Sequence, residues 1–436
     1  MSVFSYIKNV LKSNDFLYKL SFTLFILFVY RIGMHIPIPG INLVLLKDYM
    51  QNSGSLASSI FSFIDIFSGG SLSTCALFAL GISPSISASI IMQFLGFSIP
   101  YLEMLNKEGE YGKAIIGRYT RKLSLAISVV QALGYAFYLE SFAADNIVFA
   151  PGLKFKLFFT ICMVAGSMFV MWLGDQIKLV GIGNGSSMII FAGIVAKFPD
   201  YCRKIIVAVN ANTLTLGLGI LILLVFCVLT ASIVLLEKGE RKLAVFYAKR
   251  IIENKIFGGQ NSFIPFKINT VGVIPVIFAT SMLSFPKFIF GILSKFQLFS
   301  WLSTLLLETS FLYNFLLFAL IIFFTYIYTA LAFNPDDLAN NLKQSGGFLQ
   351  NIRPGKSTAN YFAYILVRIG FVGALYLGIL AILPNIVTVL IPNIPFHLSG
   401  TSMLIVVGVA LEFITQVRAY LLEHRYDAFL PNKKNY

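Results

Sequence analysis

Charged side chains make up only 12% of this chain, about half of what a soluble globular domain carries. With hydrophobic residues at 57% and a mean hydropathy of +0.82, that shortage excludes an ordinary soluble protein. Cysteine is as sparse: Cys75, Cys162, Cys202 and Cys227 are scattered, with no CxxC and no zinc spacing, so neither a disulfide framework nor a metal site is read from them. His35, His397 and His424 lie far apart and give no ligand spacing. The patterns HExxH, GxSxG and GxxxxGK[ST] are all missing. Gly181-Ile-Gly183-Asn-Gly185 lacks the spacing of a dinucleotide fingerprint and reads as a tight turn into a helix. No catalytic residue, metal or cofactor is therefore expected, and any energy must come from a partner. The polar N-terminus runs to Lys19 without a small-residue cleavage site, so no removable signal is read.

What fills the chain is apolar runs. A bilayer needs roughly 20 apolar residues per helix, and ten such runs are present: about 17–36, 74–97, 121–141, 153–173, 183–198, 213–236, 270–290, 311–333, 361–383 and 400–421. The fifth is short. An even count places both termini on one side. With the termini inside, 23 of the 33 Lys and Arg fall in inner segments and eight in outer ones, which favours cytoplasmic termini.

Two of the runs share one template, Gly-x-x-Pro-x-Ile-x-Ala-Ser/Thr. It reads Gly81-Ile-Ser-Pro84-Ser-Ile86-Ser-Ala88-Ser89 in the second run and Gly272-Val-Ile-Pro275-Val-Ile277-Phe-Ala279-Thr280 in the seventh. The topology makes these two helices antiparallel and five runs apart, the signature of an inverted repeat of runs 1–5 and 6–10. One reading places a central pathway between the halves; the plainer one is a pair of tolerated kinks. Ile82 and Ile86 share a helix face, and Ile277 holds the place in run seven that Ile86 holds in run two. Serines 83, 85, 87 and 89 give a small, weakly polar flank suited to breakable helix contacts or to permanent close packing. The run centres are nearly bare of charge. Glu412 and Arg368 lie towards the ends and read as snorkelling side chains, which suits a hydrophobic gate better than an ion-coupled transporter.

Between runs one and two, Ser59-Ile-Phe-Ser-Phe-Ile-Asp-Ile-Phe-Ser-Gly69-Gly70 is too short to span and too apolar for a free loop. It reads either as a movable re-entrant stopper or as an interfacial helix packed on the outer surface. The segment Leu236 to Arg250 mixes basic and apolar residues, and Arg353-Pro354-Gly355-Lys356 presents charge on a turn. Both suit an anionic partner, as RNA, acidic protein or lipid would be.

Several motifs in order carry a family resemblance: Phe67-Ser-Gly-Gly-Ser-Leu-Ser73, Ala79-Leu-Gly-Ile-Ser-Pro-Ser, Glu108-Gly-Glu, Trp172-Leu-Gly-Asp-Gln, Gly181-Ile-Gly-Asn-Gly, Gly272-Val-Ile-Pro-Val-Ile-Phe-Ala, Phe333-Asn-Pro, Ile352-Arg-Pro-Gly and Gly400-Thr-Ser-Met-Leu-Ile-Val-Val. Over almost its full length the chain resembles the SecY family, channel subunits of the bacterial protein-conducting translocon. That resemblance implies an all-α polytopic fold with ten transmembrane helices. Two inverted halves, 1–212 and 213–436, would surround an hourglass pore, with a short re-entrant plug helix at about 60–71. It carries a pore ring onto Ile82, Ile86, Ser186, Ile190, Ile277 and Ile405, where Ser186 replaces the family's usual aliphatic residue. It carries the plug onto Ile60, Phe61, Phe63, Ile64, Asp65, Phe67, Gly69 and Gly70. It carries a lateral gate onto Ser83, Pro84, Ser87, Ser89, Gln93, Pro275, Thr280 and Ser281. Loops of about 237–269 and 334–360 would present Arg241, Lys242, Lys249, Arg250, Arg353 and Lys356 to the SecA ATPase or the ribosome. The implied protein is no enzyme and holds no cofactor. It would pass unfolded polypeptides across the bacterial inner membrane and release signal sequences and apolar segments sideways into lipid. SecE and SecG would complete a heterotrimer, with YidC and SecDF as accessory partners; plastid translocons resemble the bacterial ones. A secondary transporter would instead need a polar midplane site, and a pure scaffold would have no use for a plug.

Overall fold

The computed structural model describes residues 14–43, 45–46, 74–140, 148–211, 215–247, 250–252, 255–257, 262–293, 310–390 and 400–429. Helices dominate. In chain order they are α1 (Asn14–Gly33), α2 (Ser83–Ser98), α3 (Pro100–Lys107), α4 (Glu110–Glu140), α5 (Leu153–Val180), α6 (Gly185–Val195), α7 (Phe198–Asn210) and α8 (Leu216–Lys238). After the strands β1 (Glu240–Tyr247), β2 (Arg250–Ile252), β3 (Lys255–Phe257) and β4 (Ser262–Lys267) come α9 (Ile274–Leu293), α10 (Phe311–Ala332) and α11 (Pro335–Gln344). Strand β5 (Gly347–Phe348), α12 (Lys356–Leu390) and α13 (Gly400–Phe429) complete the order. Each of the ten apolar runs carries a helix. Among the described residues α1, α4, α5, α8, α10, α12 and α13 are long and apolar enough to cross a bilayer, and α2 with α3 makes an eighth span if that bent pair is counted as one.

Two expectations need correction. The second run was expected as a helix from residue 74, but α2 starts at Ser83. Residues 74–82 form turns because their backbone is engaged elsewhere: Ile38 N–H donates to Cys75 O at 3.0 Å and Leu77 N–H to Ile36 O at 2.9 Å. Cys75 and Gly81 adopt left-handed φ of 43° and 53°, which no helix accommodates. Pro84, with its fixed φ, then opens the helix at N1/N2. The other end of α2 stops at Ile99, held extended by the proline that follows it, and α3 departs at 99°. The second correction concerns the basic loop after α8, which holds strands. β1 pairs antiparallel with β4 (Glu240 opposite Lys267, Val245 opposite Ser262) and on its other edge with β5.

The chain divides into two compact units. The first joins Met1–Asn210 with Ser281–Ser310 and Val409–Tyr436. Within it α4 packs on α2 and α5, and α1 on α5 and α6. The α4–α5 pair is pinned at both ends. Arg121 meets Asp175 at 3.0 Å at one end; at the other, Lys156 pairs with Glu140 and sits 4.3 Å from the Phe137 ring centroid. Helix α13 docks on α1 through Phe16 and Tyr420, whose hydroxyl donates to Asp15.

The second unit comprises Ala211–Thr280 and Phe311–Gly408. Its most extensive packing is α10 on α12. The strands contribute their own core: Leu243, Val245 and Phe266 pack with Ala339, Leu342 and Leu349, over Phe362, Ile365 and Leu366 of α12. Burying each of those larger side chains contributes about 1.5–3 kcal/mol. Arg368 is exposed, and its guanidinium stacks 4.1 Å from the Tyr364 ring centroid.

Candidate pathway and gate residues

In the first unit the site is built on close backbone approach. In lipid, apolar burial gives helices little reason to associate, so contact at small residues takes its place. Gly166 and Gly174 of α5 supply it. The Leu77 carbonyl lies against Gly166 and the Gly174 carbonyl against Gly185, so that neither Gly166 nor Gly185 has room for a side chain. Ser167 Oγ donates to Gly81 O at 3.3 Å and fixes the turn that leads into α2. Ile82 is thereby held as the residue capping α2, buried, with its Cδ1 and that of Ile189 each 3.5 Å from where a side chain on Gly174 would begin. Ile86 N–H donates to Ile82 O at 3.1 Å, so the two expected ring isoleucines are successive steps of one turn. Ile190, beside Ile189 on α6, is buried, and Ser186 one turn earlier is half-buried.

The flank of α2 is as small and polar as its sequence implies. Pro84 is buried, Ser83, Ser87 and Ser89 are half-buried, and Gln93 is exposed. Ser89 Oγ donates to Ser85 O within the helix.

In the second unit Ile277 and Ile405 are both buried. Val273, just before α9, lies against Gly408 of α13. Pro275 is buried, and Thr280, fully buried, donates its hydroxyl back to Val276 O and Ile277 O at 3.0 and 2.9 Å. Phe278 meets Phe324 and Tyr328 of α10 edge-on, at 6.2 and 5.0 Å between ring centroids. Ser281, the last expected gate residue, is half-buried.

The two basic loops, separate in sequence, are brought into one module by β1 and β5. Arg241 and Lys242 are exposed on β1. Arg353 and Lys356 are exposed on a turn shaped by left-handed Asn351 and Gly355 (φ 63° and 108°) and tied down by Thr358 Oγ1, which donates to Arg353 O at 2.9 Å. Arg250 lies on β2; Lys249 and all eight expected plug residues lie outside the described residues. Two features escaped the sequence reading, the Gly174–Gly185 contact and a hydrogen bond from Asn269 Nδ2 to Glu237 Oε2 at 2.7 Å. The triplet Gly-x-Gly-x-Gly at 181–185 signalled the first; nothing local signalled the second.

These features define a multi-pass α-helical membrane protein whose extramembrane loops fold together. The comparisons narrow that class. A family model described as SecY matches residues 76–414. The protein translocase subunit SecY of Aquifex aeolicus is 39% identical over 429 residues, covering 98% of this chain and 99% of the relative. That of Pseudomonas aeruginosa is 42% identical over 424 residues, covering 96% and 94%. The chain belongs to the SecY family. Its fold is also that of a solved structure described as a protein conducting channel (TM-score 0.68, 17% identity, 99% of this chain and all of the other). Sec61 in the canine ribosome-channel complex from the endoplasmic reticulum matches at TM-score 0.62, with 16% identity over 99% of this chain.

Proposed function

We propose that the chain is the protein-conducting channel of a Sec translocon, passing unfolded polypeptides across a membrane and releasing apolar segments sideways into lipid. The observation that carries this is a match to curated SecY subunits over essentially the whole chain; Ile82 and Ile86, at the first turn of α2, are the first residues of its proposed seal. Halves of residues 1–212 and 213–436 would contribute Ile82, Ile86, Ser186 and Ile190, and Ile277 and Ile405, to one ring. A ring of these side chains passes an extended chain and dewets when empty. Residues 60–71 act as the plug. The serine flank of α2 and the Pro275–Ser281 turn of α9 form the lateral gate. Bond chemistry has no part in this function, and the drive comes from outside.

The exposed cations Arg241, Lys242, Arg353 and Lys356, joined by the sheet, form a receptor for SecA or the ribosome. Ribosome-bound Sec61 among the structural neighbours supports that assignment. SecE and SecG complete the complex, and the asymmetry of Lys and Arg supports cytoplasmic termini in a bacterial inner membrane. Reconstituting the chain with its SecE and SecG in proteoliposomes, and adding SecA, ATP and a secretory polypeptide, tests the proposal. ATP-dependent protection of the polypeptide from external protease is expected. No protection from active, correctly oriented complexes would overturn the reading.

A further inference from the structure

The segment between β4 and α9 is pinned three times within three residues. Ile268 N–H donates to Gly239 O at 2.9 Å, and its own carbonyl lies against Gly373 of α12. Asn269, 97% buried, donates Nδ2 to Glu237 Oε2 at 2.7 Å, in the last turn of α8. Thr270 Oγ1 lies 3.5 Å from Thr329 Oγ1 of α10. Two residues later the backbone becomes permissive: Gly272 takes a left-handed φ of 69°, with Glu237 Oε1 the nearest atom at 3.9 Å from where a side chain would begin. Helix α9 then starts at Ile274. Three fixed points followed by one permissive joint is the construction of a pivot.

Of these three contacts, the Asn269–Glu237 bond is the charge-assisted one. Asn269 Oδ1, also buried, has no hydrogen-bond partner among the described residues, so the residue carries a desolvation cost that the carboxylate contact must offset.

We infer that Glu237 and Asn269 form a clasp that fixes the near end of α9, so that this helix can open only by swinging about Gly272. This rests on the reading of α9 as a gate helix, and it adds two positioning residues that lie outside the pore ring and the gate seam. With the clasp intact, α9 keeps one resting orientation; without it, the helix start wanders and the closed state loses its preference.

The test is an exchange of donor and acceptor in the full complex, in planar bilayers, reading resting ion conductance and its stimulation by an added signal peptide. N269D sets a carboxylate against Glu237, and like charges repel. It should raise the resting open fraction about tenfold, which corresponds to about 1.4 kcal/mol. Adding E237Q to N269D restores one donor and one acceptor in the same volume and should bring the leak back to within about twofold of the unaltered channel. E237Q alone keeps an acceptor for Asn269 and should leak little. A purely structural role predicts no such rescue. If N269D does not leak, or leaks equally with and without E237Q, the clasp is refuted. If the unaltered complex shows no signal-peptide-stimulated conductance, the gate reading itself fails, and the variants are then moot by a distinguishable result.

Discussion

Glycine and isoleucine divide the work at the scale of single residues. Isoleucines 82, 190, 277 and 405 present large, stiff, buried side chains, while Gly166, Gly174 and Gly185 let the backbones behind them close in. A methyl group at Gly185 would fall on the Gly174 carbonyl, which a rigid backbone cannot yield. G185A should therefore destabilise the first unit by about 1–3 kcal/mol, seen as a lower melting temperature of the detergent-solubilised complex; an unchanged melting temperature would contradict the close approach. Ser186 differs from its isoleucine neighbours in being both small and polar, which weakens dewetting at that point of the proposed ring. S186I should lower the ion leak of resting channels in planar bilayers, and an unchanged conductance would remove Ser186 from the seal. The repeated Gly-x-x-Pro-x-Ile template marked Ile86 and Ile277, and Ile82 shares a face with Ile86, whereas Ile190 and Ile405 were reached only through the family resemblance. The glycine contact was only half legible: the cluster at 181–185 announced a turn, but its partner Gly174 lies in the middle of an apolar run with nothing to single it out.

Helices followed from hydropathy wherever the apolar run was uninterrupted, because a bilayer leaves the backbone no other partner than itself. Where the chain could bond elsewhere, the reading missed. Residues 74–82 are apolar enough for a span, yet they pair with residues 36–38 and enter left-handed conformations. The strands after α8 are short, and the alternation of buried Leu243 and Val245 with exposed Lys242 and Ala244 extends over few residues. β5, two residues long, has no sequence signature at all. Yet that short strand is what makes one module of two loops. Val245 is fully buried at its centre. V245D would place a carboxylate there, without a partner, at a cost of several kcal/mol. Residues 237–269 and 334–360 should become sensitive to protease added to the face that bears them, while the membrane spans stay intact; equal resistance in V245D and the unaltered chain would show that the sheet does not hold the loops.

Taken whole, the molecule is two compact units in one chain, and α9 and α13 each contribute residues to both. The scarcity of charge was informative at this scale, since it excluded an ordinary soluble protein before any motif was considered and weighed against ion coupling. The long-range connections were not. Glu237 and Asn269 are 32 residues apart, and only the pairing of β1 with β4 brings them within reach. The central claim of the proposal is that a translocating polypeptide passes Ile82 and Ile277. A secretory polypeptide stalled in transit, carrying a photo-crosslinker at successive positions, tests it against I82C and I277C complexes labelled for detection. The same stalled position should crosslink to both residues, and only while translocation is driven. Crosslinks confined to lipid and to the extramembrane loops, with neither residue 82 nor residue 277 labelled in actively translocating membranes, would contradict the account.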